Sequence, residues 1–307
     1  MDFITFQDRF SDEKKCEDYL IQLRWPDGFT CPRCGSDEFH DMRHRAVFQC
    51  KKCKKQVYWK VGTLFENTKL PLRKWFWAIF LMAESKHGIS RKELERKLDV
   101  HYTTATRMAN RIQKVMGVKE SQQWLEALIE LDEADFHSKG SGTDTSSQGD
   151  REPVFMAAEV RERTRKVWEY ISRQTYMNCA SMEVIEQGSA VALREFVQDN
   201  VSEGTTIETD GGRCYVGIPV GDYSHEQTVL RKPEKASEVL PWVHVVISNA
   251  KRFLNGTFHS VSFERLQDYL NEFCYRLNRR SKSDQFERLI KAALDPDIAR
   301  VARNAVS

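Results

Sequence analysis

CPRCGSDEFHDMRHRAVFQCKKC, residues 31–53, decides how the first part of this chain folds. Cys31 and Cys34 form one C-x-x-C pair and Cys50 and Cys53 a second, with fifteen residues between them. Each pair presents two sulfurs on one side of a turn, and a hairpin between them brings both pairs onto one tetrahedral Zn²⁺. Such a module has almost no core of its own, so the metal supplies much of its folding energy. Structural disulfides would need an oxidising compartment. The chain opens Met1-Asp2-Phe3-Ile4, without the charged-then-apolar run of a secretory signal. Cys16, Cys179, Cys214 and Cys274 show no ligand spacing and read as small buried thiols.

Working outward, the chain has 307 residues, enough for about two average domains and a small module. At 40% hydrophobic residues it can bury a core. Its longest apolar run, Trp75–Ala83, is too short to cross a bilayer, which excludes a membrane-spanning class and points to the cytoplasm. Net charge is only +2. The local distribution is more informative. Lys51, Lys52, Lys54, Lys55 and Lys60 cluster in the cysteine module, and Arg276, Arg279, Arg280 and Lys282 near the end. Such clusters fit phosphate contact and fit a solvated basic face equally well.

Residues 1–28 read as a short helical lead opened by Asp12-Glu13, with Cys16, Tyr19, Leu20 and Leu23 on one face and Pro26-Asp27-Gly28 as its stop. From 71, Trp75, Ala78, Ile79 and Met82 mark one face of a helix. Ser90 and Glu93 form a capping box for a second helix that ends near Leu98. After the turn Asp99-Val100-His101, a third helix starts near Tyr102. This is the layout of a helix-turn-helix, with polar residues at the start of its second helix. His101, Tyr102, Thr103 and Thr104 are the candidate base contacts. Ala105 either packs inward or meets a thymine methyl. Arg107 and Arg111 are candidate phosphate partners.

From about 125 the texture changes. Ala127–Asp132 is a strand pattern ending in carboxylates, and residues 138–152 form a Gly/Ser-rich loop. Further strands are expected at Val154–Val160, Val167–Ser172 and Thr205–Thr209, with helices at Ala190–Asn200, Trp242–Leu254 and Leu266–Arg276. Strands first and helices interleaved later describe an α/β sheet domain, of which the ribonuclease H type is one. The fold class is therefore multidomain α+β: N-terminal helix and zinc ribbon over 1–65, helix-turn-helix region over 66–122, and an α/β domain with a mixed sheet over 123–307, for which a ribonuclease H-like fold is one candidate.

Asp132 and Asp210 each follow an apolar strand, A-L-I-E-L and T-T-I-E-T. A carboxylate on a laddered strand is held rigidly, and two of them on neighbouring strands can share divalent ions. Mg²⁺ takes few protein carboxylates, together with waters and phosphate oxygens. Paired metals suit phosphodiester chemistry. By strand alternation Glu133 faces away from Asp132, whereas Glu208 can face with Asp210. Arg213 and Tyr215 are candidates for DNA contact, His225 for a place near the site, and His259 for helix-end packing.

The cysteine module, the helix-turn-helix, L-D-E-A at 131–134, T-D-G at 209–211 and VHVVISNAKRFLNGTFH at 243–259 together resemble bacterial insertion-sequence transposases. The similar group has an N-terminal zinc ribbon and a DDE domain of ribonuclease H type. The likeness runs over nearly the whole chain, through LQDYLNEFCYRLNRR at 266–280. It implies terminal-inverted-repeat binding, cleavage and strand transfer with two Mg²⁺ or Mn²⁺ ions, target DNA as second partner, a homodimer or higher oligomer, and a nucleoid-associated place in the cytoplasm. Relatives place Glu third, on a helix. Here no Glu lies within Trp242–Leu254, and His244 stands seven before Lys251. His244, Ser248 and Lys251 share a helix face. Asn249 is the rival, off that face. Helical phase favours His244, with Lys251 as a phosphate clamp. A decayed or domesticated transposase acting as a DNA-binding regulator is the alternative.

Overall fold

A computed structural model describes residues 1–137, 151–167, 170–185, 189–219, 221–228, 239–258 and 261–304. The chain divides into two compact units, 1–115 with 281–307, and 116–280.

In the first unit, one lead helix was expected and two form: α1 (Phe3–Arg9) and α2 (Glu13–Arg24). Asp2 and Asp12 cap them, accepting from the backbone N–H groups of Thr5 and Lys15. Strands β1 (Phe39–Met42), β2 (Val47–Cys50) and β3 (Gln56–Tyr58) make a small antiparallel sheet in that order. Then come α3 (Leu72–Glu84), α4 (Arg91–Leu98) and α5 (Tyr102–Glu120). The α3 helix has no side-chain cap of its own. Instead the Glu13 carboxylate accepts from Leu72 N (2.7 Å) and Arg73 N (3.0 Å). The core is aromatic: Phe6, Phe10, Phe76 and Phe286 are buried against one another.

Phe286 belongs to the C-terminal helices, and this is where the observed boundaries depart from the expected 1–65, 66–122 and 123–307. The last stretch contains two amphipathic helices, Gln285–Leu294 and Pro296–Asn304. They bury Phe286, Leu289, Ile290 and Ile298 in the first unit rather than extending the sheet domain. Leu64 N donates to Ala293 O at 2.8 Å, and Arg303 pairs with Glu66.

The second unit is built on five strands: β4 (Leu128–His137), β5 (Arg151–Val167), β6 (Tyr170–Val184), β7 (Thr206–Thr209) and β8 (Ser224–Gln227). Their order is β6-β5-β4-β7-β8. The first three form an antiparallel meander, and β7 and β8 run parallel to β4 on its other side. This is the mixed sheet expected of the second domain. Helix α6 (Ala190–Asn200) links the meander to β7, and Leu193, Phe196 and Val197 pack with Ile129, Leu131 and Phe155 on one face. The helices α7 (Pro241–Phe253) and α8 (Phe263–Asn278) cover the other face with Phe136, Val154, Met156 and Ala158.

Two strand expectations change. The paired hairpin runs on through Arg161–Val167, because ladder hydrogen bonds continue where the apolar pattern has stopped. The expected strand at 167–172 therefore falls at the hairpin's far end, two of its residues (168 and 169) lying outside the described residues. The partner strand extends to Val184. The expected loop at 138–152 lies mostly outside the described residues, as does His259.

Gly217 marks a close approach in this unit. A Cβ there would lie 2.2 Å from the Ala190 carbonyl oxygen at the start of α6. Gly217→Ala should cost about 1–3 kcal/mol through overpacking. Urea unfolding of the purified chain reads this directly, and a midpoint unchanged from wild type contradicts the packing described.

Candidate active site

The four sulfurs of Cys31, Cys34, Cys50 and Cys53 lie within 4.8 Å of one another, with Cys31–Cys53 and Cys34–Cys50 both at 3.6 Å. Zn–S bonds of about 2.3 Å at tetrahedral angles place sulfurs about 3.8 Å apart, so this donor set fits zinc. Phe29 and Phe48 are the only other buried members of the cluster around it. With so little core, metal removal should unfold this module. After chelation, protease cleavage should appear within 29–58 while fragments from 116–280 persist, and metal analysis before chelation should give one zinc per chain. A zinc-free chain that resists cleavage there contradicts a structural metal.

The helix-turn-helix is formed by α4 and α5. Ser90 accepts from Glu93 N at 3.1 Å, and Asp99 closes α4 in the left-handed region at φ 49°. His101, read as a base contact, is engaged locally: its Nδ1 lies 2.9 Å from Thr103 Oγ1 and accepts from Thr103 N at 3.4 Å, capping α5. Tyr102, Thr103 and Arg107 are exposed, while Thr104 and Arg111 are half-buried. Ala105 is buried, so it packs inward. Burial, and then the neighbouring Arg107 charge, hold the Arg111 guanidinium below its usual range. The C-terminal arginines are otherwise committed: Arg276 to Glu272, Arg279 to Glu120, and Arg280 to the carbonyls of Met177, Asn178 and Leu277.

Asp132 was expected at a strand tip. It lies within β4, opposite Met156 of β5. It is at the end only of the parallel ladder, whose last pair is Leu131↔Thr209. Beyond Thr209 the chain turns away through Asp210-Gly211-Gly212 into a short 3-10 turn, Arg213–Gly217. The side chain of Asp132 is 13% exposed. Its Oδ1 accepts from Glu133 N (2.8 Å) and from the Tyr215 hydroxyl (3.4 Å), and its Oδ2 lies 3.7 Å from His244 Nδ1. Burial is the main force raising its carboxyl. The Asp210 charge adds to this, against the Glu133 N–H, His244 and the Tyr215 hydroxyl.

Asp210 Oδ1 accepts from Gly212 N at 2.9 Å. A Cβ on Gly212 would stand 2.8 Å from the Tyr215 ring and 3.2 Å from that Oδ1, so only glycine lets the ring come this close. Tyr215 is buried and committed to Asp132, which removes it as a DNA contact. Burial, followed by Asp132 and Asp210, drives its phenol far above its usual range. His225 lies beside the site through Thr209, whose hydroxyl is 2.9 Å from His225 Nε2 and donates to the Asp210 carbonyl. Partial loss of solvent around its ring holds the His225 imidazole below its usual range, although the residue as a whole is exposed.

Helix α7 carries His244, Asn249 and Lys251. Asn249 is half-buried, about 140° round the helix from His244. Lys251 Nζ lies 5.4 Å from the centre of the Phe136 ring, four residues along β4 from Asp132. Among the described residues only the four cysteines bring three or more ligand atoms within 4.8 Å of one another. His244 is thus close to Asp132, and Asp210 is near enough for its charge to act on the Asp132 carboxyl, without the three forming so tight a cluster. As alternation requires, Glu133 points to the other face, where its Oε2 is 3.9 Å from Cys214 Sγ. Glu208 is in register with Glu130 rather than with Asp132.

Glu130 is the residue that sequence reading passed over. It is 3% exposed, and its Oε2 accepts from Trp242 N (2.7 Å) and Val243 N (2.9 Å). Burial is the chief cause that pushes its carboxyl up to about 7. The available signal was a single acid at an inward position of an apolar strand, which demands a donor.

Residues 124–278 match the ISXO2-like transposase domain, and residues 11–56 match the transposase zinc-ribbon domain. An uncharacterized protein in transposable element ISH50 of Halobacterium salinarum is 26% identical over 311 residues, covering 93% of this chain and 98% of that protein. Among solved structures, the chain is similar to the Mos1 strand transfer complex at 10% identity, over 71% of this chain and 77% of that one, with a TM-score of 0.26. It is also similar to the Mos1 transposase paired-end complex with left transposon end at 12% identity, over 92% and 98% of the two chains, with a TM-score of 0.27. No helix among the described residues is long and apolar enough to cross a membrane.

Proposed function

The chain belongs to the ISXO2-like transposase family, and from that premise we propose that it binds the terminal inverted repeats of an insertion sequence and carries out strand cleavage and strand transfer at Asp132, Asp210 and His244. The observation that carries this reading is the Asp132–His244 approach of 3.7 Å beside the turn that presents Asp210. The three side chains would hold Mg²⁺ or Mn²⁺, which when bound activates the attacking oxygen and stabilises the leaving one. An acid pair in which one member is raised partly by the charge of the other would suit a divalent cation.

The protein's own groups supply the rest. Tyr215 and the Glu133 N–H fix the rotamer of Asp132. Gly212 N fixes that of Asp210. His244 is favoured over Asn249 because its ring faces Asp132. Lys251, further along α7, would clamp a phosphate beyond the reacting one. Hydrolysis frees a 3′-OH at the transposon end, and that hydroxyl then attacks target DNA, with no covalent enzyme intermediate. The zinc ribbon with its exposed Lys52, Lys54 and Lys55, together with Tyr102, Thr103, Thr104, Arg107 and Arg111, would hold the duplex. Acting on two ends calls for a dimer or higher oligomer, working at the nucleoid.

On a terminal-repeat duplex with Mn²⁺, Asp132→Ala and Asp210→Ala should each abolish nicking. His244→Ala should lower it by at least about 100-fold, beyond the usual loss for a residue that only orients a ligand. Asn249→Ala should leave it within a few-fold. Nicking that survives both aspartate variants removes the site, and the opposite order of His244 and Asn249 reassigns the third residue. Loss of a donor should raise the Asp132 carboxyl still further. Tyr215→Phe should therefore move the acid limb of the nicking profile to higher pH, at a stability cost of about 1 kcal/mol. An unmoved limb contradicts that hydrogen bond.

A further inference from the structure

We propose that Glu130 is a positioning residue that fixes the helix bearing His244 against the strand bearing Asp132. The inference deepens the reading above and rests on its assignment of His244.

Helix α7 begins without a cap of its own. Its N-cap is Leu240, it makes no side-chain capping bond, its first turn holds no acid, and Pro241 at the first position has no N–H. The next two N–H groups, on Trp242 and Val243, both meet Glu130 Oε2. A local Ser or Asp cap would satisfy those donors wherever the helix lay. A cap borrowed from β4 satisfies them only when the helix start sits over position 130. Strand alternation places Glu130 and Asp132 on the same face. One residue past the second clamped amide comes His244, 3.7 Å from Asp132. The strand thus holds one partner of the site directly and the other through Glu130. Trp242 Nε1 also bonds to Thr175 Oγ1 on β6 at 3.2 Å, giving the helix start a second anchor. Glu130 itself is too enclosed, and its Oε2 too committed, to serve as a third acid.

The test separates reach from charge. Glu130→Gln keeps the length and an acceptor oxygen but not the charge. Glu130→Asp keeps the charge but stops one methylene short. Glu130→Ala keeps neither. In the alanine variant, hydrogen exchange across 241–247 should speed up about tenfold or more, the loss of about 1.4 kcal/mol of local protection. The turnover for nicking should fall about 100-fold, as expected for a misplacement near 1 Å, while affinity for the terminal-repeat duplex stays within twofold. Glutamine should restore both readouts to within a few-fold of wild type, and aspartate should restore them less well. Exchange unchanged in the alanine variant overturns the proposal, and so does aspartate matching or exceeding glutamine in turnover, the order a metal-binding carboxylate would give. If the alanine variant does not fold, the order of glutamine and aspartate decides alone. His244→Ala tests the underlying reading separately: undiminished nicking there rejects the role of His244, whatever the exchange data say of the clamp.

Discussion

The ladder between β4 and β7 ends at Leu131↔Thr209, and the geometry of the sheet unit follows from that ending. Up to this pair β4 is enclosed by neighbours on both edges. Beyond it β5 alone continues alongside, so Asp132 keeps a rigid backbone while one edge opens. The chain leaving β7 can turn there, and Gly212 lets it turn tightly enough to bring the Tyr215 ring back to Asp132. Longer pairing by two residues would carry position 210 into the ladder and close the opening. A shorter ladder would leave Asp132 with a mobile support.

Enclosing acids at this point is costly, and the structure offsets the cost in two different ways. Glu130, buried under α7, is answered by two helix N–H groups, which need its length and aim more than its charge. Asp132 is answered by one N–H, one hydroxyl and a nearby imidazole, and it still feels Asp210. The first arrangement is self-sufficient. The second is not, because the Asp210 charge still raises the Asp132 carboxyl. The first unit uses the same borrowed cap, with Glu13 of α2 meeting the first amides of α3. In both places an uncapped helix start is tied to another element by a glutamate.

The parts legible in sequence were those whose cause is local. Cysteine spacing, the Ser90 cap, the turn beginning at Asp99 and the apolar strand before Asp132 all depend on near neighbours, and each is found where expected. What was missed depends on pairing across distance. The β8 strand is exposed at every residue and exists because β7 offers it an edge, so no apolar alternation announces it. The far half of the β5–β6 hairpin is held by backbone bonds beneath a charged sequence. The last helices read as an extension of the sheet domain, yet Phe286 finds its partners in Phe6, Phe10 and Phe76. The clamp at Glu130 joins residues 112 positions apart, so only the unusual burial of an acid could have hinted at it.

Net charge shows the same limit. A sum of +2 hides two populations of cations. Arg276, Arg279 and Arg280 look like a phosphate-binding stripe in sequence but spend their donors on Glu272, Glu120 and backbone carbonyls. Arg280 thereby ties the chain after α8 to β6, and all three arginines leave little positive field for a ligand. Lys52, Lys54 and Lys55 beside the zinc-binding sulfurs, and Arg107 on α5, are exposed instead. Long-range attraction for a polyanion depends on solvent-facing cations on a rigid frame, since charges neutralised at contact distance contribute little field beyond it. Duplex affinity should therefore follow the small modules near the N-terminus, which need zinc to hold their lysines in place, while Arg276, Arg279 and Arg280 of the sheet unit act as internal fasteners.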